Sequence, residues 1–182
     1  LATGRKRRLD VPGFDAVGQP AFSPDASSLA FSGLKDGVSD LWLADARTGA
    51  ARRLTDDAED DQTPAFSPDG RSLVYTSEFE APGSPMLYRR RLRRLEPATG
   101  EAVDLPTPPG LAHDPVYSPD GAKVLYSLEG GGFHDVYELD LASGRSVRAC
   151  IKRIRQAFAV KPTYSAGGTC GSVRTASIFS LK

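Results

Sequence analysis

Four groups of side chains in this 182-residue chain have the types and spacing to do chemistry. The first is an acidic run, Asp56, Asp57, Glu59, Asp60 and Asp61, rich in the oxygen ligands that calcium takes. It is read as lacking the alternating spacing of a calcium loop, so a solvated inter-blade loop is expected and no metal site is assigned. The second is a basic run, Arg89, Arg90, Arg91, Arg93 and Arg94, able to meet phosphate or an acidic partner. Only Tyr88 accompanies it and the rest of the chain is acidic, so nucleic-acid binding is disfavoured and an exposed charged hairpin face is expected. His113 and His134 are the third group, and Cys150 and Cys170 the fourth. The cysteines allow one disulfide or two free thiols. With no Cys-x-x-Cys and no clustered histidine they do not read as a zinc site. No Gly-x-Ser-x-Gly occurs, and neither Gly130-Gly-Gly132 nor Gly167-Gly168 precedes a predicted helix, so neither a hydrolase nucleophile nor a phosphate loop is predicted. No cofactor is expected.

Composition sets the frame around these groups. Forty per cent apolar and 25% charged residues are ordinary for a folded domain. No run approaches 18 apolar residues, so no membrane-spanning helix is expected. Leu1 to Arg8 is basic but leads into no apolar stretch, so no signal peptide is visible. The net charge of zero hides an asymmetry: all 23 acidic residues precede Cys150, and residues 151–182 carry only bases.

The elements that position these residues come from a repeat. Pro20-Ala-Phe-Ser-Pro-Asp-Ala26, Pro64-Ala-Phe-Ser-Pro-Asp-Gly70 and Pro115-Val-Tyr-Ser-Pro-Asp-Gly121 are near copies. Each is followed by a short apolar run, Leu29–Phe31, Leu73–Tyr75 and Val124–Tyr126. Downstream, a hydroxyl and a glycine recur at Thr48-Gly49, Thr99-Gly100 and Ser143-Gly144, each glycine with an acid four residues before it. From Gly49 to Phe66 and from Gly100 to Tyr117 the step is 17 residues in both cases. Phe22 to Gly49 and Tyr117 to Gly144 both span 27, against 34 from Phe66 to Gly100, so the middle repeat carries an insertion.

Ser-Pro-Asp-Gly is turn chemistry: proline presets φ, aspartate suits the next position and glycine tolerates a positive φ at the exit. Between two apolar runs it predicts a hairpin. A third strand is expected at Asp40–Asp45 and at Asp135–Asp140, and a fourth at Ala51–Thr55. Four short antiparallel strands in about 44 residues make a propeller blade. The predicted fold is therefore all-β: four-stranded antiparallel β-propeller blades, three full repeats plus partial blades, in an incomplete propeller. The expected boundaries are 1–10 for the last strand of a preceding blade, 11–55, 56–106 (with the insertion) and 107–150 for the three repeats, and 151–182 for an atypical basic tail or a degenerate partial blade. Three blades close no ring, so a piece of a longer protein or self-assembly of several chains is expected.

The hairpins, the Asp40-Leu-Trp42 strand and the ending Thr48-Gly49 through Leu54-Thr55 resemble the TolB-like, WD-repeat-related propeller family. The resemblance covers residues 1–150 and departs at Ala26, where the turn glycine is missing, and at Leu87-Tyr88, where no acid precedes the aromatic. It implies a non-catalytic scaffold for protein or peptide partners in a bacterial protein, in the periplasm or elsewhere outside the cytoplasm. The alternative it implies is the substrate-gating propeller of a prolyl-oligopeptidase-type serine peptidase whose catalytic domain lies on other sequence. In a propeller, Gln19, Gln62, His113 and Asp114 fall near the channel mouth, ahead of the innermost strands, and are the candidate binding residues. Trp42 is expected to pack in the core.

Overall fold

Turn chemistry dictates the architecture. In the computed structural model, which describes residues 8–81, 83, 87–130 and 133–149, twelve strands and no helix are present among the described residues. The first blade is β1 (Ala16–Phe22), β2 (Ser28–Lys35), β3 (Val38–Asp45) and β4 (Ala51–Arg53), paired antiparallel in chain order. The second is β5 (Asp60–Phe66), β6 (Leu73–Glu80), β7 (Tyr88–Leu95) and β8 (Ala102–Leu105). The third is β9 (Leu111–Tyr117), β10 (Lys123–Gly130), β11 (Phe133–Asp140) and β12 (Arg145–Arg148). A parallel bridge, Arg90 to Leu111, joins β7 to β9 and links the second blade to the third. The described blades close no ring. Residues 1–7 and 150–182 fall outside the described residues, and with them both cysteines, most of the expected strand over 1–10 and the basic tail; residues 8–10 carry no strand.

Each Ser-Pro-Asp hairpin is held by the same bonds. The Ser23 hydroxyl donates to Asp25 at 2.6 Å and accepts the Ser28 N–H at 2.9 Å. Ser67 with Asp69 and Ser72, and Ser118 with Asp120 and Lys123, repeat the arrangement. The serine hydroxyl and the Ser27 N–H hold Asp25 down at about 2, and their counterparts lower Asp69 and Asp120 as well. The turn exits through a left-handed residue with φ of 72° at Gly70 and 73° at Gly121, and alanine takes that conformation at Ala26, with φ of 57°. A Cβ there costs about 1 kcal/mol. Ala26→Gly is therefore expected to stabilise the chain by about 0.5–1 kcal/mol, read as a higher denaturation midpoint with unchanged slope.

Strand alternation decides which seam each side chain enters. Tyr75 of β6 packs with Ala30 and Leu41 of the first blade, whereas its neighbour Val74 packs with Tyr117, Val124 and Tyr126 of the third. The aromatic before each hairpin turns toward the preceding blade. Phe66 lies on the first seam, and Tyr117, 7% exposed, on the second, where its hydroxyl meets Ser72 Oγ at 2.8 Å. Phe22 has no described blade before it and is 63% exposed. Above it in the first blade, Phe14 covers Phe31 and Trp42 edge-on, with ring centroids 5.4 and 4.7 Å away. Gly33 leaves room for that ring, since a Cβ there would lie 2.7 Å from Phe14. No helix among the described residues is long and apolar enough to cross a membrane.

Candidate functional site

The inner strands β1, β5 and β9 lie side by side, and each breaks register at the same repeat position. The break centres on a non-glycine residue in the left-handed region just before a proline: Gln19 (φ 51°), Thr63 (φ 52°) and Asp114 (φ 47°). Such a conformation costs about 1–3 kcal/mol and persists only where its surroundings enforce it. Here a hydroxyl from the adjacent strand takes up the backbone carbonyl that the bulge frees. Ser32 Oγ donates to the Gly18 carbonyl at 3.1 Å, Thr76 to that of Gln62 at 3.1 Å and Ser127 to that of His113 at 3.4 Å. The device occurs once per blade.

The four candidate residues all sit at these bulges, within the strands rather than ahead of them, because each inner strand begins two or more residues earlier than its hairpin motif suggests. Gln62 and His113 precede the left-handed residue; Gln19 and Asp114 are that residue. Gln19 Oε1 accepts from Ser32 Oγ and from the Thr63 N–H, both at 2.9 Å, and so ties the first bulge to the second. At the third bulge, His113 Nδ1 lies 2.5 Å from Arg90 Nη1, and Arg90 also bonds Glu78. Arginine only donates, so Nδ1 accepts and Nε2 carries the proton, 3.7 Å from Glu129. Burial first, and the Arg90 charge second, push the His113 pKa down. Arg90→Leu is expected to move it back up toward the ordinary histidine value, measured by NMR titration of the ring protons. A pKa unchanged within 0.2 unit, roughly the precision of such titrations, would contradict the assignment of Arg90 as a cause.

The charged runs behave differently from their sequence reading. They face each other in the seam between the first two blades. Arg91 Nη2 donates to both oxygens of Glu59 at 2.7 Å, and Arg93 Nη1 donates to Asp57 at 3.1 Å. Both arginines also lie 3.2 Å from Asp104 of β8. Arg91 stacks over Phe79 at 4.3 Å and Arg93 over Tyr75 at 5.8 Å. The expectation of a solvated acidic loop and an exposed arginine face is thus corrected for Glu59, Asp61, Arg91 and Arg93, with Arg93 only 16% exposed and Asp61 fully buried, while Asp56, Asp57, Arg89 and Arg94 are exposed. Neither Asp61 oxygen accepts a well-formed hydrogen bond. Burial drives its pKa up to about 7, only partly opposed by the nearby hydroxyls of Ser77 and Thr55. The signal was present in the spacing. Arg89, Arg91 and Arg93 recur every second residue, which places them on one face of β7, and Asp57, Glu59 and Asp61 recur at the same interval along the segment leading into β5.

Comparison with known proteins gives this geometry a context. The family profile described as TolB beta propeller domain matches residues 1–100. A Bacillus subtilis protein described as uncharacterized peptidase YuxL is 27% identical over 128 residues, covering 67% of this chain and 19% of that protein. The crystal structure of TolB from Acinetobacter baumannii superposes with a TM-score of 0.64 at 24% identity, over 76% of this chain and 33% of that one. An acylaminoacyl peptidase superposes with a TM-score of 0.53 at 15% identity, over 73% of this chain and 25% of that one. The chain spans a third or less of the length of each of these three relatives. At these identities the two solved structures speak to the fold alone.

Proposed function

We propose that this chain, which belongs to the TolB β-propeller domain family, is a non-catalytic module of a longer bacterial protein that binds a protein or peptide partner. The reading places contact at Gln19, Gln62, His113 and Asp114. The observation that carries it is the row of bulges, one per blade, which sets polar side chains on adjacent rigid strands, with the first two bulges tied by Gln19 to Thr63. Bulges re-aim side chains relative to the regular alternation of a strand. The test is a peptide-display selection on the purified chain, followed by titration of the selected peptides against Gln62→Ala and His113→Ala. A loss of affinity of about 10-fold or more in either variant supports the reading. Binding that both variants leave intact places the surface elsewhere and overturns it.

A second reading is favoured by the similarity to YuxL, which is described as a peptidase. Here the blades gate access to a serine-peptidase domain carried on other sequence. A serine-directed fluorophosphonate probe discriminates the two. It labels the complete gene product if the second reading holds, and labels nothing if the first does.

A further inference from the structure

On the second blade and the segment leading into it, four acids gather around the two arginines Arg91 and Arg93. Glu59 is matched by Arg91, Asp57 by Arg93, and Asp104 shares both guanidinium groups at 3.2 Å. Asp61 is left over. It is fully buried, it stands in register with Ser77 of β6, itself opposite Arg91, and neither of its oxygens has a hydrogen-bond partner. The Ser77 hydroxyl, which could have served it, donates instead to Glu59 at 2.5 Å. The Tyr75 hydroxyl is likewise buried without a partner. A buried carboxylate with no well-formed hydrogen bond, and only the Ser77 and Thr55 hydroxyls near it, has room for a ligand of its own.

We propose that Asp57, Glu59 and Asp61 bind a hard divalent cation, with calcium or manganese as the matching class, in the seam between the first and second blades. Two observations point there. One ligand oxygen from each of the three carboxylates lies within 4.8 Å of the others. Two oxygens bound to one calcium at about 2.4 Å each lie no more than about 5 Å apart, so the three converge on one coordination sphere. The second observation is the orphaned, fully buried Asp61 turned into that cluster. Carboxylate oxygens have lone pairs to spare, so Arg91 and Arg93 keep their bonds while the free sides of Glu59 and Asp57 turn to the ion. Asp57 comes from the connection between blades, Glu59 from just before β5 and Asp61 from β5 itself, so an ion here would clamp the second blade to the segment that joins it to the first.

The test uses the whole 182-residue chain, stripped with EDTA and titrated with calcium chloride and, separately, manganese chloride. The expected result is a saturable rise of several degrees in melting temperature with at least one of the two ions. Asp61→Asn should weaken that ion's binding about 10-fold or more, while Asp56→Asn, which removes an exposed neighbouring charge, leaves it unchanged. Manganese should also selectively broaden the NMR signals of Ser77 and Thr55 in the wild-type chain. That readout needs no variant, so the proposal stands or falls even if Asp61→Asn fails to fold. No saturable response to either ion up to millimolar concentration, or an equal response in Asp61→Asn, or broadening centred away from Ser77, overturns it.

Discussion

Asp61→Asn is expected to stabilise the EDTA-treated chain by up to about 4 kcal/mol at pH 8 while leaving its stability near pH 3 unchanged. The sign follows from the direction of the shift. Burial raises the Asp61 pKa from 3.8 in the unfolded chain to about 7 in the folded one. Between those values the folded state holds a proton that the unfolded state has released, so stability falls as pH rises through this window and levels off above it. A displacement of about three units corresponds to about 4 kcal/mol at the plateau. The groups that face Asp61 set the size of the effect: Asp57 adds to the rise, and Arg93, Ser77 and Thr55 oppose it. Asparagine has nearly the same shape and no charge to desolvate, so it removes the penalty and keeps the packing. Chemical denaturation of both proteins at pH 3, 5.5 and 8 checks this. Parallel curves, with a constant difference at all three pH values, would show that Asp61 does not titrate in this range.

The second large effect is a contrast between equivalent positions. Tyr117→Ala is expected to cost about 3–5 kcal/mol, because the ring packs against Val74, Val124 and Tyr126 in the seam between the second and third blades. It also strips Ser72 of its partner. Phe22→Ala, the same change at the same repeat position, is expected to shift stability by no more than about 0.5 kcal/mol. The first-blade ring has no described blade to pack on and loses little water contact on folding. Urea midpoints of the two variants provide the measurement. A large loss at Phe22 would mean that another surface covers it.

The architecture was legible because its turns are local. Ser67, Asp69 and Gly70 lie within four residues of each other, and the bonds they make need no distant partner, so three copies of the motif announce three hairpins. The bulges were hidden for the opposite reason. A left-handed backbone usually advertises itself as glycine, and here it falls on Gln19, Thr63 and Asp114. The bonds that stabilise it come from hydroxyls 14 residues from the carbonyls they reach. Ser32, Thr76 and Ser127 do recur at one offset from the hairpins, but a lone hydroxyl in a strand carries no signal until its acceptor is known. The charge runs were visible and misread. Each looks solvated by itself, and Arg91 finds Glu59 only because folding brings together residues 32 positions apart.

One contact between blades has a wider consequence. A Cβ on Gly70 would sit 3.4 Å from the ring of Pro24, and one on Gly121 would sit 3.5 Å from that of Pro68. Together with Phe66 and Tyr117, which also lean backward, this gives every blade a front and a back built from the same few letters. Such a chain has polarity, as an actin filament does, and its joints are interchangeable. Copying one blade's worth of sequence into the array would add one more joint held by the same glycine–proline contact. The number of blades is then no property of any blade. It is set by where the arc meets itself.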